Sequence, residues 1–547
     1  MNGTIHTVRR PEGTNVYLVG GGIASLAAAV HLHHDAHVPA HQIHLIEASP
    51  VPGGSMGGAG DWRKGYAVRA ARKLNFTYNC LYDTLSRVSS IRDPSKTVLD
   101  EIVSFNKGHD ELGECRARLV ATTPTGPEIV DVKSIGLSTT DRLDILGLVL
   151  EAEENVASDE IQAHFKPEFF ESKFWDMWSS MYGFQPWHSA VEFRRYLHRF
   201  LHEFPHISTL AGIEHTPMND YECVIVPLEA HLKELGVDFQ YETAVTSVAF
   251  RPGNDICVSA LHSTHKGNET TVDILPSDIV LITLGSSTAN SRVGDNKRPP
   301  PPLPAQDALM ENPDPVWKFW TSLADPAANP HAEAFGHPKT FYSRISKSSW
   351  LSFTVTLIDA DFLDNLREWS RSSDGSCPLI TFRDSPWMMS ITIPHQPYFL
   401  NQPDNVHVLW GYGLYPDQEG TFVKKPMMEC TGEEILTELL HHLDLPIHPT
   451  LEQSTTIPCL MPYIGSPYLT REAGDRPQVV PRGSRNLGLL GQYVEMERDV
   501  TFTMEYSVRA AQTAVYHLMG VDKEPPPVHR GDQSVQTLGE ALMAIMS

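Results

Sequence analysis

The stretch VYLVGGGIAS, residues 16–25, constrains this chain more than any other. Its four leading apolar residues read as a short buried strand, and the glycines turn it straight into the helix IASLAAAVHLHH. A second strand, QIHLIEA at 42–48, ends near Glu47. Strand, helix and strand in this order make a βαβ unit, and such a unit builds a parallel sheet. The turn fits G-x-G-x-x-G with Ser25 in the last place. Gly20 permits the tight turn, Gly22 lets a pyrophosphate approach the backbone, and small Ser25 lets the helix pack on its strand. Free N–H groups at the helix start suit phosphate, and Glu47 stands where a ribose hydroxyl is held. The fold class is α/β, opening on a Rossmann-like dinucleotide-binding domain.

The rest of the chain is organised around that unit. At 547 residues it is too long for one simple core. Strand-rich sequence returns near 238–285, and a late strand, NLGLLGQY at 486–493, precedes a helical run from Phe502 to Met519. The nucleotide fold is therefore split. One insertion is aromatic and helical (169–200), and its aromatic residues read as packing rather than ligand contacts. The other, about 295–460, opens on the proline run 299–304, a stiff linker. We expect the nucleotide-binding domain over 14–130, 236–295 and 461–520. The substrate domain is expected over 131–235 and 296–460, and a helical tail over 521–547. LGEALMAIMS in that tail reads as a short amphipathic packing helix.

Composition removes several function classes. A net charge of −24 opposes wrapping nucleic acid, which needs clustered Lys and Arg. The seven cysteines are dispersed without CxxC spacing, which disfavours zinc or a redox dithiol and suits a reducing, cytoplasmic compartment. Arg9-Arg10 before the apolar run imitates a leader, but the glycines fit a strand and helix better. No run of ~20 apolar residues suggests a membrane span. Gly53-Gly54-Ser55-Met56-Gly57 imitates a nucleophile elbow, but that motif needs a strand running directly into the serine. Here ASPVP intervenes, and a second glycine loop for a flavin is the better reading.

Several longer stretches carry a family resemblance: FFESKFWDMWSSMYGFQPWHSAVEFRRYLHRF, WMMSITIPHQPYF, WGYGLYPDQEG, MPYIGSPY and RDVTFTMEYSVRAA. With the glycine turn, they resemble the oleate hydratase family, also called the myosin-cross-reactive antigen family, over nearly the whole chain. The resemblance implies FAD in a split nucleotide domain with an inserted substrate domain and a small helical C-terminal region. It implies addition of water across a double bond of an unsaturated fatty acid, with the flavin taking no net redox part. Members are usually homodimers, soluble or loosely membrane-associated.

The same resemblance assigns residues. The family's proton donor falls on Tyr196 in EFRRYLHRF, with Arg194 or Arg195 placed to steady its phenolate. The bland alternative is a helix tyrosine with a wet hydroxyl. The family's water-activating loop, R-G-G-R-E-M, reads Arg69-Ala70-Ala71-Arg72-Lys73-Leu74 here. Lys73 thus stands in a catalytic glutamate's place, and the family's next acids in this loop fall on Asn75 and Asn79, so no nearby carboxylate replaces it. A protonated lysine donates three hydrogen bonds and accepts none, so it cannot take a proton from water. The substrate's carboxylate pocket falls on Asp220, Thr392, Pro394 and Tyr398, of which only Thr392 is retained. FAD contacts fall on Gly20, Gly22, Ser25, Glu47, Gly54, Ser55, Arg69, Arg72 and Gly285. Glu495, Asp499 and Thr503 close over the ring system. The lost acid leaves two other readings open: a flavin-dependent isomerase or oxidoreductase, or a binding protein without catalysis.

Overall fold

A computed structural model describes residues 9–109, 118–210, 212–358, 361–371 and 379–531. A five-stranded parallel sheet organises it, in the order Leu487–Leu490, Ile279–Thr283, Val16–Val19, Ile43–Ile46, Asp238–Gln240. Val16 pairs with Ile43 on one side and Ile279 on the other. Strands covered on both faces are apolar almost throughout, and Val16, Leu18, Leu45 and Leu281 are fully buried. The helices Ile23–His34 and Met504–Met519 pack on each other beside this sheet. The second begins where the Thr503 hydroxyl accepts the Tyr506 N–H at 3.2 Å and ends at Gly520, whose φ is 67°. Three chain segments far apart in sequence thus meet in one layer, as a split nucleotide fold requires.

The second layer is an eight-stranded mixed sheet. Its central strand, Trp350–Leu357, is buried along its whole length and pairs antiparallel with His407–Gly413 and Ser454–Met461. One expected boundary is corrected here. Leu119–Thr123 and Gly126–Ile129 fall inside the 14–130 segment, yet they extend this second sheet, with Thr381 paired in parallel with Leu119. A strand's own residues do not name its partner, because pairing is set by whichever edge the folded chain offers. Thr243–Phe250, Val258–His265 and Asn268–Asp273 form a separate antiparallel meander.

The aromatic insertion folds as two helices, Lys173–Tyr182 and Ala190–Arg199. Gly183 ends the first with φ of 80°, and a Cβ there would sit 2.1 Å from the Trp350 ring. That close approach seats the helices against the second sheet. Phe169, Phe174, Trp178 and Phe184 are buried core residues, as their helical spacing suggests. Beyond Gly520 the described chain forms no regular helix up to residue 530. The LGEALMAIMS stretch lies outside the described residues. Among the described residues, no helix is long and apolar enough to cross a membrane.

Candidate functional site

Two glycine loops meet at the carboxyl end of the parallel sheet. Gly20, with φ of 98°, donates its N–H to Ile46 O at 2.8 Å and turns the chain into the first helix. The Gly53 N–H reaches Gly21 O at 2.8 Å, and a Cβ on Gly54 would lie 3.4 Å from Gly22 Cα. Gly54 holds a φ of 55°, a left-handed conformation that favours glycine at this contact. The Glu47 carboxylate accepts the Gly21 N–H at 2.5 Å and the Ser49 N–H at 2.7 Å. Ser25 Oγ lies 3.3 Å from Thr283 Oγ1, tying helix to sheet. A Cβ built on Gly22 meets nothing within 4 Å, so there is open space at the positive end of the helix. These residues fit the pyrophosphate and ribose of a dinucleotide. Gly285 packs its backbone against the Tyr493 and Trp317 rings, just past the adjoining strand.

Ser55 lies in the short turn Gly54–Met56, with no strand running into it. Its Oγ accepts from Arg72 Nη2 at 2.7 Å, and among the described residues no hydrogen bond joins it to a histidine. The geometry is not that of a nucleophile elbow.

Beyond these loops lies an apolar cavity of about 120 Å³ between the second sheet, the loop 69–74, the helical insertion and the start of the helix Met504–Met519. The loop 69–74 forms one wall, bringing Arg69, Arg72 and Lys73 to it; Thr392, Tyr196 and Thr503 lie on the others. Among the described residues, no carboxylate lines the cavity. The Arg72 guanidinium stacks 5.2 Å over the Phe502 ring and donates to Phe502 O at 3.3 Å. Lys73 Nζ lies 3.3 Å from His215 Nδ1.

The phenol of Tyr196 is 2% exposed, so its hydroxyl is not wet. It donates toward Thr501 O at 2.7 Å and lies 2.8 Å from the Tyr468 hydroxyl. Tyr468 in turn reaches Tyr182 O at 2.9 Å. Burial pushes both phenols well above the ordinary tyrosine value, since a phenolate loses its hydration there. Tyr468 carries no local signal of this role; only the fold brings it to Tyr196.

Other expected residues lie elsewhere. Arg195 turns away from Tyr196 and forms a bidentate pair with Glu153 (2.9 and 3.0 Å), and it also meets Glu495 at 3.0 Å. Arg194 also faces Glu153. The cation near the tyrosines is Arg72, whose field acts on Tyr468. Glu495 and Asp499 do not reach the cavity, because arginines claim them: Arg195 and Arg471 for the first, Arg509 for the second. Asp220 lies beneath the loop rather than on the cavity wall. Its carboxylate accepts the Arg72 N–H at 2.8 Å and the Thr216 hydroxyl at 3.3 Å. The loop thus has a nearby carboxylate after all, supplied from another segment and spent on its backbone. Burial pushes Asp220 up to about 6, against the pull of that Arg72 N–H. Pro394 and Tyr398 are also off the cavity: their carbonyls accept from Gln396 and Asn219. Of the four head-group positions, only Thr392 lines it.

With this geometry in hand, similarity to known proteins can be weighed. The model of the MCRA family matches residues 13–516. An oleate hydratase of Streptococcus pyogenes serotype M49 (strain NZ131) is 33% identical over 554 residues, spanning 98% of this chain and 90% of that protein. A linoleate hydratase of Lactiplantibacillus plantarum is 30% identical over 550 residues, spanning 92% and 93%. Among solved structures, wild-type putrescine oxidase bound to putrescine aligns with a TM-score of 0.51 at 12% identity, over 93% of this chain and 99% of that one. That last likeness is one of fold alone.

Proposed function

The chain belongs to the MCRA family, and from that premise we propose that it is an FAD-dependent hydro-lyase that adds water across a carbon–carbon double bond of an unsaturated fatty acid. The observation that carries this reading is the buried Tyr196 phenol on the wall of an apolar cavity beside the dinucleotide loops. Hydration of an unactivated alkene needs a proton for one carbon and a held water for the other. A desolvated phenol keeps its proton at neutral pH and releases it only to a group brought within reach. Gly20, Gly22, Ser25, Glu47, Gly54, Ser55, Arg69, Arg72 and Gly285 would hold FAD. When bound, FAD shapes the site and balances no electrons in a hydration. The apolar walls exclude bulk water, so that the chain selects which water reaches the substrate. The proposal extends to a homodimer, which sedimentation tests.

One observation favours a second reading. With no carboxylate on the cavity wall and Lys73 in the loop, a double-bond isomerase would need Tyr196 but no activated water. Incubation with oleate or linoleate in heavy-oxygen, deuterated water separates the two. Hydration puts one heavy oxygen into the product; isomerisation takes up deuterium alone. We expect heavy oxygen in the wild type and about 10²-fold faster incorporation in Lys73→Glu, the lower range for a positioned base. No oxygen uptake by either protein overturns the hydratase reading.

A further inference from the structure

The tyrosine pair has fewer protons than contacts. Tyr196 and Tyr468 carry one hydroxyl proton each, yet three oxygen–oxygen contacts join them to each other and to two carbonyls: 2.8 Å between the phenols, 2.7 Å to Thr501 O and 2.9 Å to Tyr182 O. A phenol donates one hydrogen bond and accepts others. Two protons therefore fill two of the three contacts at a time. In one arrangement Tyr196 donates to Tyr468, which donates to Tyr182 O. In another Tyr468 donates to Tyr196, which donates to Thr501 O. The pair can pass between them by rotating two hydroxyls.

We infer that Tyr468 is the positioning residue of the proton donor: it turns its hydroxyl from Tyr182 O to Tyr196 Oη as the Tyr196 proton leaves. This rests on the reading of Tyr196 as donor. Both phenols line the same cavity, and both are at most 2% exposed, so the contact is shielded from bulk solvent. A hydrogen bond to an ionised oxygen is about twice as strong as one between neutral groups, so this contact strengthens as charge develops on Tyr196. Its stabilisation thus falls on the transition state more than on the resting state. In the step itself the alkene π pair takes the Tyr196 proton to form a C–H bond. The O–H pair stays on Tyr196 as phenolate, and the cationic carbon accepts a lone pair from water. The proton that this water sheds returns to the phenolate, so the pair ends as it began and the sum is alkene plus water. Lys73, which cannot accept a proton while charged, is not called on.

The test uses full-length, flavin-loaded protein with oleate in heavy-oxygen water, comparing wild type, Tyr468→Phe and Tyr196→Phe. Tyr468→Phe should lower kcat about 10- to 100-fold while KM moves less than about threefold, since the hydroxyl acts on the developing phenolate and not on substrate binding. A fluorotyrosine placed at position 196 and followed by fluorine NMR should require a higher pH to ionise in the Tyr468→Phe background. An unchanged kcat with an unchanged fluorotyrosine titration overturns the inference. Should Tyr468→Phe fail to fold, fluorotyrosine at 196 and then at 468 in an otherwise wild-type chain must report shared titration steps, and independent single steps overturn it. Full activity of Tyr196→Phe sinks the donor reading and this inference with it. Loss in Tyr196→Phe with none in Tyr468→Phe sinks this inference alone.

Discussion

The helix Ala190–Arg199 separates two cavities that handle charge in opposite ways. On one face Arg194, Arg195 and His198 border a cavity of about 580 Å³. There arginines and glutamates interleave, with Arg195 held between Glu153 and Glu495, and Arg471 between Glu495 and Glu192. On another face Tyr196 borders the cavity of about 120 Å³, where Arg69, Arg72 and Lys73 converge with no acid on the wall. The larger cavity is lined by charges of both signs, several of them paired with each other. The smaller one leaves cations and phenols facing a space that suits an apolar chain. Size does not mark the site; the kind of lining does, because a cationic loop and buried phenols around an apolar space set the chemistry that space can host.

The comparison can be broken most severely at Tyr196. Tyr196→Phe should reduce heavy-oxygen incorporation by about 10²- to 10⁴-fold, the range for a general acid, with a stability loss of only about 1–3 kcal/mol for the buried hydrogen bonds it removes. On the other face, Glu192→Ala should act on stability instead. Glu192 is fully buried and lies 3.0 Å from Arg476 and 3.2 Å from Arg471. Removing it strands buried cations at a cost of about 3–5 kcal/mol, measurable by denaturant unfolding.

Asp220→Asn sharpens the contrast on the cavity side. Asp220 has a native value of about 6, above that of an ordinary carboxyl, so the folded state holds this proton more tightly than the unfolded chain. The stability due to that proton is complete below about pH 4 and is lost as pH rises through about 6. The amide cannot ionise but can still accept the Arg72 N–H. The variant should therefore gain about 2–3 kcal/mol relative to wild type between pH 4 and 7, read as a pH series of unfolding curves. A constant difference across that range would show that Asp220 does not titrate in it. The smallest effect belongs to Arg498, an exposed residue at the rim of the charged cavity. Arg498→Ala should change stability by no more than about 0.5 kcal/mol.

Legibility tracked locality. The strand–glycine–helix unit could be read residue by residue: the expected helix IASLAAAVHLHH is the observed Ile23–His34. The late strand before Met504–Met519 was equally plain as an element, because its apolar run and the following helix are local patterns; its sheet partner, Ile279–Thr283, was not. The hairpin at 119–129 went unread: it lies inside the 14–130 segment, and nothing local assigns it to the second sheet. Among site residues, Tyr196 and the loop 69–74 could be placed by motif, whereas Asp220 was given a ligand to hold and instead holds Arg72's backbone. Arg195 was expected to face the phenol one residue along the helix. Consecutive helix positions point about 100° apart, and Arg195 faces the acids instead.

The sequence alone determined the dinucleotide turn, which depends on residue types at short, fixed spacing. The expectation of a split FAD fold, and of Lys73 where relatives carry a loop acid, came through the family resemblance. The tertiary structure decided what surrounds them: the partnership of Tyr196 with Tyr468, the anchoring of the loop by Asp220, and the absence of any carboxylate from the cavity wall. Those contacts join residues roughly 150 to 270 positions apart. No local preference encodes such pairings; they follow from how two sheets and one helix pack, and packing is a property of the whole chain.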